Sequence, residues 1–318
     1  MDRSAFAESS VPHAVWLAKT FGGAVTVVYV VQPRENNGRQ TSDALEWEIS
    51  RQEAQRHLER LDKEISGALG LPVDTRLEQG RPADRITDLA VEIGADVIVL
   101  GSRGEGEAPE GTLGRTAAQV LALARCSVFI AHSSSRIPAE VTPKHILVPL
   151  DGSVRTESVL PVACRIASAP GTTLLLVHAV QESLPTALLD APEDVELARK
   201  LALRLEAGAK RYLAHLQQQL AREVPSVHTL VVRHPNERQC LLEISRREQS
   251  DLIVLSAHGS ACDSGRSFGS VTAYLVAHVN VPVLILQDLP STGADRVRSD
   301  HAKLAPPLRQ SSHPAENA

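Results

Sequence analysis

The sequence predicts an α/β protein made of two tandem, doubly wound parallel-sheet domains, and three observations lead to that fold class. The chain's 318 residues allow two domains of ordinary size. One unit occurs twice along it. Within the clearer copy, short runs of Val, Ile and Leu alternate with amphipathic stretches of helical period, the pattern of βαβ crossovers.

The duplication is visible residue by residue. Setting Asp2 on Asp151 brings Ser4 onto Ser153, Glu8 onto Glu157, Pro12 onto Pro161, Ala18 onto Ala167, Gly22 onto Gly171 and Val28 onto Val177 without a gap. Further along, Asp96 matches Asp251, Ile98 to Leu100 match Ile253 to Leu255, and Gly104 matches Gly259. Gly114 then matches Gly269, Ala122 matches Ala277 and Ile130 matches Ile285. The offsets of the two blocks differ by six residues, and the difference falls mid-copy, where loop lengths vary most freely.

In the second copy the elements follow in order. HILVPL at 145–150 is a strand that ends in the turn residues Asp151, Gly152 and Ser153, and a helix follows from about 157 to 168. Then come TTLLLVHAV at 172–180, a long helix, HTLVV at 228–232, a helix from about 236, and DLIVL at 251–255. A polar loop, a helix from Ser270 and VPVLIL at 281–286 complete the unit. The apolar runs lack strict alternation, as strands buried on both faces should.

The long helix repeats Leu197, Leu201, Leu205, Ala209, Tyr212, Leu216 and Leu220 at three- or four-residue steps, which predicts a helix covering one sheet face rather than a partner-binding zipper. Its counterpart, about Ser42 to Leu69, carries Leu45, Ile49, Ala54, Leu58, Leu61 and Ile65. The expected domains are therefore 1–131 and 144–288, joined by a Ser/Pro/Thr-bearing linker at 132–143 and followed by a polar, Pro-rich, disordered tail at 289–318. The strand of copy one equivalent to His145–Leu150 falls before residue 1. Because that strand is central in a doubly wound sheet, the expectation is either a native start upstream of Met1 or an eroded first copy with a rearranged sheet.

Composition excludes several classes of function. Hydrophobic residues at 43% and charged residues at 22% support real cores. The 33 Lys and Arg are scattered among 38 Asp and Glu with no basic run, which argues against nucleic acid as a partner. Aromatics at 3% remove base-stacking platforms. No stretch nears the roughly 20 apolar residues of a membrane span, and MDRSAFAESS lacks the signature of a signal peptide, so a cytoplasmic location is expected. Cys126, Cys164, Cys240 and Cys262 form no C-x-x-C pair and read as reduced thiols.

The segment that carries chemistry follows the fourth strand of each copy. It is Gly101-Ser-Arg-Gly104, nine residues, Gly114 in copy one, and Ser256-Ala-His-Gly259, nine residues, Gly269-Ser270 in copy two. One glycine lets the backbone turn sharply, and the next opens a helix whose free N–H groups suit a phosphate. Ser270 adds a hydroxyl, and Asp151 stands at the end of the neighbouring first strand.

On VPLDGS at 148–153, the doubled G-x2-G-x9-G-[ST] pattern and VPVLIL, the chain resembles a tandem universal stress protein over residues 2–131 and 144–287. The resemblance implies flavodoxin-like domains of strand order 3-2-1-4-5, with ATP, and Mg on its phosphates, seated between the first and fourth strands. It implicates Pro149, Asp151, Ala179, Ser256, Gly259, Gly269 and Ser270 in copy two, and Asp2, Val30, Gly101, Gly104 and Gly114 in copy one. It also implies pairing of the final strands, Ser127–Ile130 with Val283–Leu286, as an intrachain pseudo-dimer, with association of two chains open.

Both copies depart from the pattern. Copy two has Ser256 where the first glycine belongs, a change either tolerated or narrowing the approach to ribose; copy one has Arg115 in place of Ser/Thr. His258 reads as a loop histidine near phosphate, His178 as a satisfied core histidine, Cys262 as inert, and Asp96 and Asp251 as binders of backbone N–H groups. No Walker-type lysine, metal cluster or carboxylate pair appears, so ATP hydrolysis is at most slow. Two functions follow: an ATP-binding regulatory module in the stress response, or a protein-interaction stress protein that binds no nucleotide and acts on an unidentified protein partner.

Overall fold

A computed structural model describes residues 5–32, 44–70, 72–103, 113–132, 141–181, 192–260 and 268–287. Repeat one runs α1 (Ala5–Glu8), α2 (Val11–Phe21), β1 (Thr26–Val31), α3 (Ala44–Leu69), β2 (Asp74–Gln79), α4 (Pro82–Glu92), β3 (Val97–Gly101), α5 (Arg115–Leu123) and β4 (Ser127–Ala131). Repeat two runs β5 (His145–Pro149), α6 (Val154–Glu157), α7 (Leu160–Ala167), β6 (Thr173–Gln181), α8 (Pro192–Leu220), β7 (Val227–His234), α9 (Glu237–Arg247), β8 (Leu252–Ser256), α10 (Ser270–His278) and β9 (Val283–Leu286). Asp2, Gly104, Cys262 and the 289–318 tail lie outside the described residues, as does most of 132–143.

Repeat two has the expected strand order. Its strands lie β9-β8-β5-β6-β7, all parallel, which is 3-2-1-4-5 when numbered within the repeat. β5 is central, with Ile146 opposite both Leu174 and Leu252. Alternate β5 residues feed different cores: Ile146 and Val148 pack with Leu174, Leu176 and Leu213 under α7 and α8, whereas Leu147 packs with Val177, Ile253 and Leu275 under α9 and α10. Asp251 fastens the start of this strand, its carboxylate accepting the backbone N–H groups of Lys144 at 2.7 Å and His145 at 2.9 Å. That is the role expected for it.

Repeat one is divided. β1 and β2 form a two-stranded parallel sheet of their own, while β3 and β4 join the sheet of repeat two. The break falls between β1 and β3, the two strands that would flank a central one in a sheet of the same order as that of repeat two. α3 covers the small sheet through Leu58, Leu61 and Ile65, packed against Val27.

The repeats are joined by an antiparallel ladder between β4 and β9, with Val128 opposite Ile285, Phe129 opposite Leu284 and Ile130 opposite Val283. In the repeat alignment Phe129 and Leu284 are equivalent positions, so a pseudo-two-fold axis passes between them. The ladder completes one seven-stranded sheet, β3-β4-β9-β8-β5-β6-β7. Phe129 is fully buried, and His13 and Trp16 of α2 lie against its ring at centroid distances of 5.2 and 6.4 Å.

One expectation needs correction. α8 covers the sheet only with its C-terminal half, where Ala209, Leu213 and Leu216 are buried; Leu197, Leu201 and Leu205 are exposed. Gln217 Nε2 donates to the Val227 carbonyl at the start of β7, and Glu206 pairs with Arg233 near its end. The twelve or so residues between them match the length of the strand, at about 1.5 Å per helical residue against about 3.3 Å per strand residue. The turns before Glu206 therefore run past the sheet.

Burial lowers the His13 pKa to about 4, so the fold holds the ring neutral. The unfolded chain takes up the proton first as pH falls, and stability that is full above about pH 6.5 is lost on the way to about pH 4. Burial, with the Arg103 charge, acts in the same direction on His132. Between pH 7.5 and pH 5 the His13 contribution costs about 2 kcal/mol, and His13→Leu should remove that part of the pH dependence in urea unfolding. Phe129→Ala should cost about 3–5 kcal/mol by leaving a cavity at the join, read as a lowered urea midpoint.

Candidate functional site

The loop after the fourth strand is anchored alike in both repeats. The Ser102 N–H donates to the Ala131 carbonyl and the Gly114 N–H to the Ser102 carbonyl, both at 2.8 Å; in repeat two the Ala257 N–H donates to Leu286 and the Gly269 N–H to Ala257, again both at 2.8 Å. Each anchor delivers a glycine to the N-terminus of a helix, Gly114 to α5 and Gly269 to α10, and neither cap residue supplies a side-chain hydrogen bond. N–H groups of the first helical turn lack intrahelical carbonyl partners, so such an end favours an anion.

Repeat two adds an acid. Asp151, just past β5, accepts the Ser153 N–H at 2.9 Å, the Thr156 hydroxyl at 2.7 Å and the Ser260 N–H at 2.6 Å. Burial opposes its ionisation, but these hydrogen bonds outweigh burial and hold the carboxyl well below the usual carboxylate range. The approach of the loop depends on Gly259, where a Cβ would lie 2.7 Å from Asp151 Oδ2. Gly269 is different: a Cβ there would meet the Ala257 carbonyl oxygen at 3.5 Å and the Gly259 nitrogen at 3.8 Å, ordinary contact distances. Packing within the protein does not require that glycine, and a side chain there would point at the same loop.

The other expected residues of repeat two lie around this point. Pro149 ends β5 opposite Val177, and Ala179 sits near the end of β6 opposite Val232. Ser270 begins α10. Ser256 is accommodated inward: it is buried, its hydroxyl donates to the His258 carbonyl at 2.6 Å, and its own carbonyl accepts from Thr272 Oγ1 at 3.0 Å. Its hydroxyl therefore braces the loop. His258 is also buried, at 1% exposure, which sets it inside the loop.

In repeat one the expected residues do not converge. Val30 is buried on the two-stranded sheet, opposite Glu78, whereas Gly101 and Gly114 belong to the edge of the seven-stranded sheet. Asp2 and Gly104 fall outside the described residues. The loop anchor persists in this repeat, and among the described residues no carboxylate takes the place of Asp151.

Sequence reasoning missed one group. Glu237 opens α9 at the carboxyl end of β7, and burial together with the Asp151 charge raises its pKa. Asn236, whose side chain caps that helix by accepting the Arg238 and Gln239 N–H groups, was the available signal. His178, expected as a satisfied core histidine, meets Tyr212 edge-on at 6.2 Å, but its Nδ1 is buried without a hydrogen-bond partner, so it is only partly satisfied. Burial pushes the Cys126 thiol up to about 11 and the Cys164 thiol to about 12, as inert thiols require.

Comparison with known proteins agrees with this architecture. The profile of the universal stress protein family matches residues 1–132 and 142–287. A universal stress protein of Mycobacterium tuberculosis is 28% identical over 231 residues, covering 71% of this chain and 73% of that protein. Another, from Mycolicibacterium smegmatis, is 25% identical over 297 residues, 90% of this chain and 95% of the relative. The crystal structure of a universal stress protein from Archaeoglobus fulgidus shares the fold, with a TM-score of 0.63, 18% identity and coverage of 91% of this chain and 96% of that one.

The two glycines separate in their expected responses. Gly259→Ala, which drives a Cβ onto the Asp151 carboxylate, should lower stability by about 1–3 kcal/mol, whereas Gly269→Ala should stay within about 1 kcal/mol, the scale of an N-cap change. Urea unfolding of the two variants beside the parent chain measures both.

Proposed function

This chain belongs to the universal stress protein family, and from that premise we propose that it is an adenine-nucleotide-binding regulatory module with one working site, in repeat two. The observation that carries the reading is the meeting of Asp151 with the glycine loop that leads to the uncapped N-terminus of α10. In this reading Asp151 accepts a hydroxyl of the adenosine end in exchange for the Ser260 N–H. The ends of β5 and β6, at Pro149 and Ala179, flank the base. Gly259, Gly269 and Ser270 donate to the phosphates of ATP, with Mg2+ as their counter-ion.

Val30, Gly101 and Gly114 serve as scaffold, and repeat one contributes the partner edge for β9. Nucleotide occupancy favours one arrangement of the loop over another and so biases what surface is offered to a protein partner. Among the described loop residues no lysine reaches toward the phosphates, so the reading assigns binding and at most slow hydrolysis. A cytoplasmic setting, with its millimolar ATP, suits it.

A second reading has an observation of its own. The Asp151 carboxylate is already served by three donors within the chain, with the Glu237 acid nearby, which suits a loop that has given up nucleotide for protein interaction. Acid denaturation of the purified chain, followed by chromatography of released nucleotide, separates the two. The nucleotide reading expects about one adenine nucleotide per chain, the occupancy of a single tight site, and its loss in Gly269→Val and Asp151→Ala. No nucleotide even after incubation with millimolar Mg-ATP would overturn the nucleotide reading and favour the interaction-only one.

A further inference from the structure

One ring pair recurs in both repeats with its members exchanged. In repeat two His178 of β6 meets Tyr212 of α8 with ring centroids 6.2 Å apart and planes at 73°; in repeat one Tyr29 of β1 meets His57 of α3 at 6.0 Å and 73°. Tyr29 aligns with His178 at the offset of the first repeat block, and His57 with Tyr212 at that of the second. The second offset also sets Ala54, Leu58 and Leu61 on Ala209, Leu213 and Leu216, all of them buried. The same contact is therefore made from opposite ends, with the imidazole on the helix in repeat one and on the strand in repeat two.

An acid accompanies each pair. Glu8, the last residue of α1, has its Oε1 3.8 Å from His57 Nδ1, and Arg60 of α3 bonds to both. Its equivalent, Glu157, is the last residue of α6. The Tyr212 hydroxyl is buried facing the Glu157 carboxylate without a closed hydrogen bond, and burial, Glu157 and Asp151 together raise its pKa. His178 Nδ1 is likewise buried without a partner; burial lowers the pKa of the ring, against the pull of Asp151 and of the Leu150 carbonyl. Phenylalanine would fill either ring position with no polar atom to bury, so packing alone does not account for a His–Tyr pair present twice.

In repeat two the pair stands behind the segment that carries Asp151. The Leu150 N–H donates to the carbonyl of Val177, which precedes His178, and Thr156, which precedes Glu157, donates its hydroxyl to Asp151. In repeat one no central strand joins β1 to β3 among the described residues, yet Glu8 still meets α3 through His57 and Arg60. Acid, strand ring and helix ring thus hold together where the central strand does not enter. We propose that Glu157, His178 and Tyr212 act as one positioning triad, which seats the turn after β5 against β6 and α8 and so keeps Asp151 aligned with its donors Ser153, Thr156 and Ser260. Because Tyr and His trade places between the repeats, the role belongs to the pair rather than to either residue in its place.

The Ser153 and Ser260 amides, which donate to Asp151 at 2.9 and 2.6 Å, report its alignment. They do so with or without nucleotide, so failure of the nucleotide reading leaves the test standing. In amide NMR of the full chain, Tyr212→Phe and His178→Phe, which keep a ring at each position, should each speed hydrogen exchange at both serines about tenfold or more, while the amides of β8 and β9 exchange as in the parent. The double variant His178→Tyr with Tyr212→His, which copies the order of repeat one, should return both serines to the parent rate. Parent rates at Ser153 and Ser260 in both phenylalanine variants overturn the proposal. So does a double variant that exchanges as fast as the single ones, or faster exchange throughout the sheet, which is loss of packing rather than of position.

Discussion

The seven-stranded sheet is held together across the two repeats by three residue pairs. The β4–β9 ladder is the one antiparallel join in an otherwise parallel seven-stranded sheet, and through it β3 and β4 gain a sheet to belong to. Buried backbone N–H and C=O groups must be paired, so a two-stranded fragment with both faces covered has little stability of its own. Joined edge to edge with β9, the same fragment extends a complete sheet, and its buried residues, Val128 to Ala131, merge into the cores of repeat two. The other fragment, β1 and β2, survives differently, roofed by the long α3.

The division of repeat one has a counterpart in the two loops. Both repeats keep the hydrogen bonds that bring a glycine to a helix N-terminus, because those bonds tie the loop to the last strand and last helix, which both repeats retain. The acid is another matter. Asp151 stands where it does because β5 is held on both sides, at Ile146 by Leu174 and Leu252, and so its terminal turn meets the loop after β8. Among the described residues only repeat two sets a centrally held acid beside such a loop.

Much of this was legible in the sequence. Strands buried on both faces announce themselves as continuous Val/Ile/Leu runs, and a duplication confirms each run by its twin, so the elements of repeat two were legible in the residues; their order and the pairing of Ser127–Ile130 with Val283–Leu286 came from the resemblance to the universal stress proteins. Helix periodicity carried less. It identified the apolar face of α8 correctly along its length, but a period says which residues share a face and nothing of what stands opposite. The inward turn of the Ser256 hydroxyl, the burial of His258 and the arrival of Glu237 beside Asp151 were likewise invisible, because each depends on contacts between segments remote in sequence.

The pseudo-two-fold axis between Phe129 and Leu284 falls on unlike residues. A ladder between two copies of β4 would bring phenylalanine against phenylalanine and overfill the space that His13 and Trp16 already line; one between two copies of β9 would set leucine against leucine and leave it short of volume. The two halves of the duplicated unit thus differ at the axis that joins them, a large ring from one and a smaller branched side chain from the other filling one shared core.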